Sequence, residues 1–143
     1  MDLAELCAAG PVAIDGGLAS ELEARGHDLS GRLWSAQLLV DDPTAIRAVH
    51  EAYFAAGARV AISASYQVSR QAMASVGLAA GAADDALRLS VELAREARTR
   101  SGLAGLLVAA SVGPYGAALA DGSEYRGQYG RTHEELVQFH AER

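Results

Sequence analysis

Three short apolar runs, residues 12–14, 59–62 and 106–110, alternate along the chain with stretches of helical periodicity, and this alternation limits the folds open to it. A strand that returns after a helical crossover pairs in parallel, and the crossover is right-handed. Parallel sheets are covered on both faces or closed into a barrel, and three strands achieve neither. A (β/α)8 TIM barrel takes about 250 residues. The 143-residue chain therefore reads as an α/β unit, a single partial barrel domain over residues 1–143 that supplies about the first half of such a barrel. Its first and third strands would each lack a neighbour, so self-association or partial unfolding of the isolated chain is expected.

Local signals place the helices. Asp15-Gly16-Gly17 turns the first strand into a helix over residues 18–25 that Gly26 ends. Trp34, Leu38 and Leu39 are expected to pack a short helix onto the core. Asp42 is a good N-cap with Pro43 at the first helical position, Ile46, Val49, Tyr53 and Phe54 share one face, and Gly57 closes that helix. A short helix over 70–76 ends at Gly77. A longer one over 83–99 carries Leu87, Val91, Ala94 and Ala97 inward and Arg88, Glu92, Arg95 and Glu96 outward, ending at Gly102. Thr132 and Glu135 have capping-box spacing, so another helix begins there.

A net charge of −6 argues against nucleic acid or an anionic membrane as partner. No apolar run approaches the roughly 20 residues of a membrane span, and the first residues lack the basic-then-apolar pattern of a secretion signal, so a cytoplasmic location is expected. Cys7 is the single cysteine, which excludes an intrachain disulfide, and it is expected to be a buried apolar residue. It cannot build a zinc site alone. The four histidines, His27, His50, His133 and His140, show no joint spacing for a metal and are expected in surface or packing roles, so no metal ligand is assigned.

Ligands of parallel α/β folds sit at the carboxyl ends of the strands, which selects three loops. In the first, Asp15 can accept from an ammonium while the backbone N–H groups of Gly16 and Gly17 approach a carboxylate, a pairing suited to a zwitterionic amino acid. Alternatively Asp15 caps the helix and the glycines merely turn the chain. In the second, Ser63, Ser65, Tyr66 and Gln67 either orient a small polar substrate or form a capped turn. The third, residues 111–127, holds Gly113, Tyr115, Gly116, Gly122, Tyr125 and Gly127 but neither dinucleotide nor phosphate-loop spacing. Glu124 and Arg126 within it can pair at the surface.

Five segments occur in order: Asp15-Gly16-Gly17-Leu18-Ala19-Ser20-Glu21-Leu22, Leu33-Trp34-Ser35-Ala36, Ala64-Ser65-Tyr66-Gln67, Ser90-Val91-Glu92-Leu93-Ala94-Arg95, and Ser111-Val112-Gly113-Pro114-Tyr115-Gly116 with Asp121-Gly122-Ser123-Glu124-Tyr125. From about Val12 onward the chain closely resembles the homocysteine S-methyltransferases that use S-methylmethionine or S-adenosylmethionine. The resemblance implies a (β/α)8 barrel that holds the homocysteine thiol on zinc as a thiolate, ready to attack a sulfonium methyl group. It assigns Asp15, Gly16 and Gly17 to the amino-acid end of homocysteine, and Ser63, Ser65 and Tyr66 to the pocket at the next strand end. The loop carrying Gly113 and Tyr115 falls on the methyl-donor side. Ile62-Ser63 stands where many relatives have two threonines. The family's zinc ligands are cysteines late in the barrel, and no residue here corresponds to them. The resemblance thus implies an enzyme of methionine synthesis whose first 143 residues are inactive alone. The competing expectation is a non-catalytic half-barrel that binds an amino acid weakly or assembles with another chain.

Overall fold

The computed structural model describes residues 2–31 and 33–143. Helix α1 (Leu3–Ala8) opens the chain on a capping box between Asp2 and Glu5. It was not anticipated, although Asp-x-x-Glu is the signal for it. Cys7 lies on it, free and exposed, which corrects the expected burial: α1 buries only Leu6. Helix α2 (Leu18–Ala24) follows, and Gly26, at φ +91°, leaves it in the left-handed region. A 3-10 turn (Trp34–Gln37) runs into α3 (Leu38–Asp41), where Leu38 and Leu39 are buried as expected. Trp34 is instead 51% exposed, with a left-handed backbone at φ +49° that costs strain for a bulky residue.

Helix α4 (Pro43–Ala55) starts as the sequence predicts, with the Asp42 carboxylate accepting from Ala45 N–H at 3.3 Å. Ile46, Val49 and Phe54 on its inner face are buried. Strand β1 (Val60–Ile62), α5 (Arg70–Ser75), α6 (Ala80–Ser101) and β2 (Leu107–Ala109) complete the central layers. The buried stripe of α6 runs through Ala83, Ala86, Ser90, Leu93, Ala94 and Ala97, while Leu87 and Val91 are only half-buried. Ala94 and Ala97 are buried and Arg88, Glu92, Arg95 and Glu96 exposed as expected, and α6 packs on α4 in a contact laced by Arg47–Glu96 at 3.1 Å and Arg100–Glu51 at 2.7 Å. Helix α7 (Tyr115–Leu119), a 3-10 turn (Ser123–Tyr125) and α8 (His133–Ala141) follow β2.

Strands β1 and β2 pair in parallel with Val60 opposite Leu107. Residues 12–14 lie parallel to β1 on its other side, through Arg59 N–H to Ala13 at 2.8 Å and Asp15 N–H to Val60 at 2.9 Å. The expected first strand is thus reduced to a bridge at Ile14, which remains 57% exposed. The spatial order 12–14, β1, β2 follows the sequence. One apolar cluster joins α2 to α6, and a second (Phe54, Ala61, Ala94, Ala97, Leu106) seals the helices onto the sheet.

The capping box of α8 is present, with Thr132 Oγ1 accepting from Glu135 N–H at 3.2 Å and the Glu135 carboxylate from Thr132 N–H at 2.8 Å. Thr132→Ala should cost about 1 kcal/mol in urea unfolding. No measurable change would show that α8 contributes nothing to the cooperative unit.

Candidate functional site

Asp15 ends the first run almost wholly buried. Its Oδ2 accepts from Ile62 N–H at 2.8 Å, across the strand ends, and α2 has no side-chain cap. The structure therefore decides against Asp15 as a helix cap. Its Oδ1 is sealed from solvent and has no donor. A carboxylate oxygen left without a donor calls for one, and a ligand reaches Oδ1 only once the residues over it move. Gly16 and Gly17 lie beside it under Tyr53, whose hydroxyl donates to Gly17 C=O at 3.4 Å, and a Cβ on Gly16 would meet that hydroxyl at 3.5 Å.

Ser63 and Ser65, both buried, stitch the ends of β1 and β2 together. Ser111 N–H donates to Ser63 Oγ at 3.0 Å, the two hydroxyls share a bond of 2.7 Å, and Ser65 Oγ donates to Ser111 C=O at 2.8 Å. With the Ser65 proton committed to that carbonyl, the shared bond takes its proton from Ser63. Both hydroxyl protons are used internally, so each serine retains only acceptor capacity. Together with Asp15 Oδ1 this end of the sheet offers acceptors, which suits an ammonium better than a carboxylate.

Beside it opens a cavity of about 430 Å³ whose lining includes Trp34, Ser35, Tyr66, Gln67, Glu124 and Tyr125. Three aromatic rings and a carboxylate from three separate segments converge there. Trp34, Tyr66 and Tyr125 are 51%, 41% and 87% exposed, an unusual amount of aromatic surface for one opening. Burial, and then the Glu124 charge, push the Tyr66 phenol above its ordinary pKa, so the ring stays neutral beside the carboxylate.

One glycine sets this geometry by close approach. A Cβ on Gly113 would overlap the Tyr66 carbonyl oxygen and lie 3.1 Å from its carbon, so the loops after β1 and β2 touch there. The Arg143 guanidinium ties the same loops, donating to Gly113 C=O at 2.7 Å and to Ser65 and Tyr66 C=O at 3.1 Å each. Tyr115 is placed elsewhere. It is buried edge-on to Phe139 at 5.0 Å, and its hydroxyl accepts from Arg131 Nε at 3.0 Å, so it fastens α7 to α8 and does not line the cavity. Nor is the expected Glu124–Arg126 pair formed: Arg126 donates to Asp121 C=O at 3.5 Å.

Asp15, Gly16, Gly17, Ser63, Ser65, Tyr66 and Gly113 are thus brought to the strand ends. Trp34, Glu124, Tyr125, His50 and Arg143 are additions. Trp34 is expected in packing and Glu124 in a surface pair, whereas Tyr125 belongs to the third loop selected from the sequence. Among the described residues no three His, Cys, Asp or Glu side chains gather to hold a metal ion. The donor set does not fit the zinc that the family resemblance implies, and no chemical step is derived through it.

Residues 12–143 match the family model described as homocysteine S-methyltransferase. The chain is 51% identical over 135 residues to homocysteine S-methyltransferase of Escherichia coli, covering 91% of this chain and 44% of that protein. It is 46% identical over 140 residues to homocysteine S-methyltransferase YbgG of Bacillus subtilis, covering 92% and 44%. The crystal structure of the homocysteine methyltransferase MmuM from E. coli, in its metallated form, superposes with a TM-score of 0.88 at 48% identity over 97% of this chain and 50% of that one. The chain therefore spans less than half the length of these curated relatives.

Proposed function

The chain belongs to the homocysteine S-methyltransferase family, and from that premise we propose that it supplies the substrate-binding side of an enzyme that moves a sulfonium methyl group onto the homocysteine thiol, giving methionine. The donor is S-methylmethionine or S-adenosylmethionine. The observation that carries this reading is the aromatic and acidic cavity at the strand ends. A sulfonium is a soft, weakly hydrated cation. The faces of Trp34, Tyr66 and Tyr125 attract it through their quadrupoles, and Glu124 adds a full negative charge.

The reaction joins a thiolate to the methyl carbon as the carbon–sulfur bond of the sulfonium breaks, and the leaving sulfur keeps the electron pair. Cation and anion become two neutral thioethers, and the thiol proton has already gone to solvent. This chain's residues orient the partners: Asp15 Oδ1 receives the homocysteine ammonium, the serine-linked strand ends hold the floor, and the cavity holds the donor. A zinc ion, as the family resemblance implies, would supply thiolate character in the longer protein. The described residues gather no donor set for it, so 1–143 alone is proposed to bind substrates without turning them over.

Within this reading the chain forms about the first half of a (β/α)8 barrel. Support comes from the parallel order 12–14, β1, β2 and from the exposed apolar residues Ile14 and Val112 at its strand ends. Self-association through those edges belongs to the same proposal, as does a cytoplasmic location. No helix among the described residues is long and apolar enough to cross a membrane.

Trp34 is the chain's one tryptophan, so its fluorescence reports on the cavity. S-methylmethionine should quench it saturably, methionine should bind markedly more weakly, and Tyr125→Ala should weaken the sulfonium roughly threefold. Equal affinity for the cation and the neutral thioether would sink the proposed donor site.

A further inference from the structure

His50 on α4 is wholly buried, and neither ring nitrogen has a hydrogen-bond partner. An unsatisfied buried polar group destabilises the fold, and a leucine among the buried residues Ile46, Val49 and Phe54 of the same helix would avoid that cost. Its Nδ1 stands 3.7 Å from Oδ2 of Asp15, about 0.8 Å beyond an ordinary N–H···O length. That oxygen already takes the Ile62 N–H, while Oδ1 has no donor. An unsatisfied buried imidazole therefore faces the occupied oxygen of a carboxylate whose other oxygen has no donor.

We propose that His50 is a positioning residue for the amino-acid site: its Nδ1–H, directed at Asp15 Oδ2 alongside the Ile62 N–H, fixes the carboxylate plane so that Oδ1 meets the ammonium of an α-amino acid. At 3.7 Å the Nδ1–H acts on Oδ2 through its dipole and not as a hydrogen bond, reinforcing the Ile62 N–H there and leaving Oδ1 as the free acceptor. This geometry calls for the Nδ1–H tautomer, with Nε2 as the bare nitrogen. This deepens the homocysteine reading and rests on it.

Two measurements on the 143-residue chain test the assignment. Nitrogen-15 NMR of the ligand-free chain should show the Nδ1–H tautomer at His50, and the Nε2–H tautomer would overturn the proposal. Titrations with L-homocysteine and with 4-mercaptobutanoate, which lacks the ammonium, provide the second readout. His50→Leu should weaken L-homocysteine about tenfold and leave 4-mercaptobutanoate unchanged, while His50→Asn, which keeps a donor near the Nδ1 position, should restore most of the loss. Equal weakening of both thiols would make His50 a packing residue only. Should the Nδ1–H tautomer be present and neither thiol bind the unsubstituted chain, homocysteine falls as the occupant while the fixed Asp15 geometry stands.

Discussion

Gly116→Ala is expected to destabilise the chain by roughly 3 kcal/mol, because the added methyl has nowhere to go. It would overlap the backbone nitrogen of Glu124 and lie 2.6 Å from the Glu124 Cα and 2.8 Å from Tyr129 Cε1. Two of these three atoms are backbone, so no side-chain rotation relieves the clash. The 3-10 turn that carries Glu124 and Tyr125 must move away from α7, and the cavity loses two of its walls. Urea denaturation measures the first effect and Trp34 quenching by S-methylmethionine the second, and both should worsen together. Gly81→Ala, on the open face of α6 with no atom within 4 Å of the new Cβ, is the control and should stabilise by about 0.5–1 kcal/mol. A Gly116→Ala chain as stable as the parent would mean that α7 and the turn are not packed as described.

Asp15→Asn is expected to weaken L-homocysteine about 100-fold, the upper end of what a charge-assisted hydrogen bond contributes. The substitution keeps the side-chain shape and an oxygen to accept the Ile62 N–H, but removes the charge that answers the ammonium. Calorimetric titration should show the loss for L-homocysteine and little change for 4-mercaptobutanoate. An unchanged affinity for homocysteine would mean that the ammonium binds elsewhere.

What the sequence reveals here is local. Asp42-Pro43, the Thr132–Glu135 box and the glycines at 57, 77 and 102 act within one turn of helix, and each lies where its spacing places it. Strand order was also legible, because parallel crossovers leave few alternatives. Features that depend on distant partners were hidden. Trp34 looks like core until the loops after β1 and β2 form a cavity for it to line. His50 falls on the apolar stripe of α4 four residues after Ile46, and nothing in that periodicity reveals the carboxylate opposite it. Tyr115 sits in a ligand-facing segment, yet Phe139 on α8 and Arg131 just before that helix draw it into packing. The serine pair reads equally as substrate contacts or caps, and only the pairing of β1 with β2 shows its hydroxyls closing a loop through Ser111.

The central claim is that one end of this sheet holds homocysteine and a sulfonium donor side by side. Transferred NOE spectroscopy on the 143-residue chain with L-homocysteine and S-methylmethionine tests it most directly. A shared pocket predicts a cross-peak between the S-methyl protons of the donor and the γ-methylene of homocysteine, lost in Asp15→Asn. Two ligands that bind without that cross-peak, or that displace one another, would contradict it.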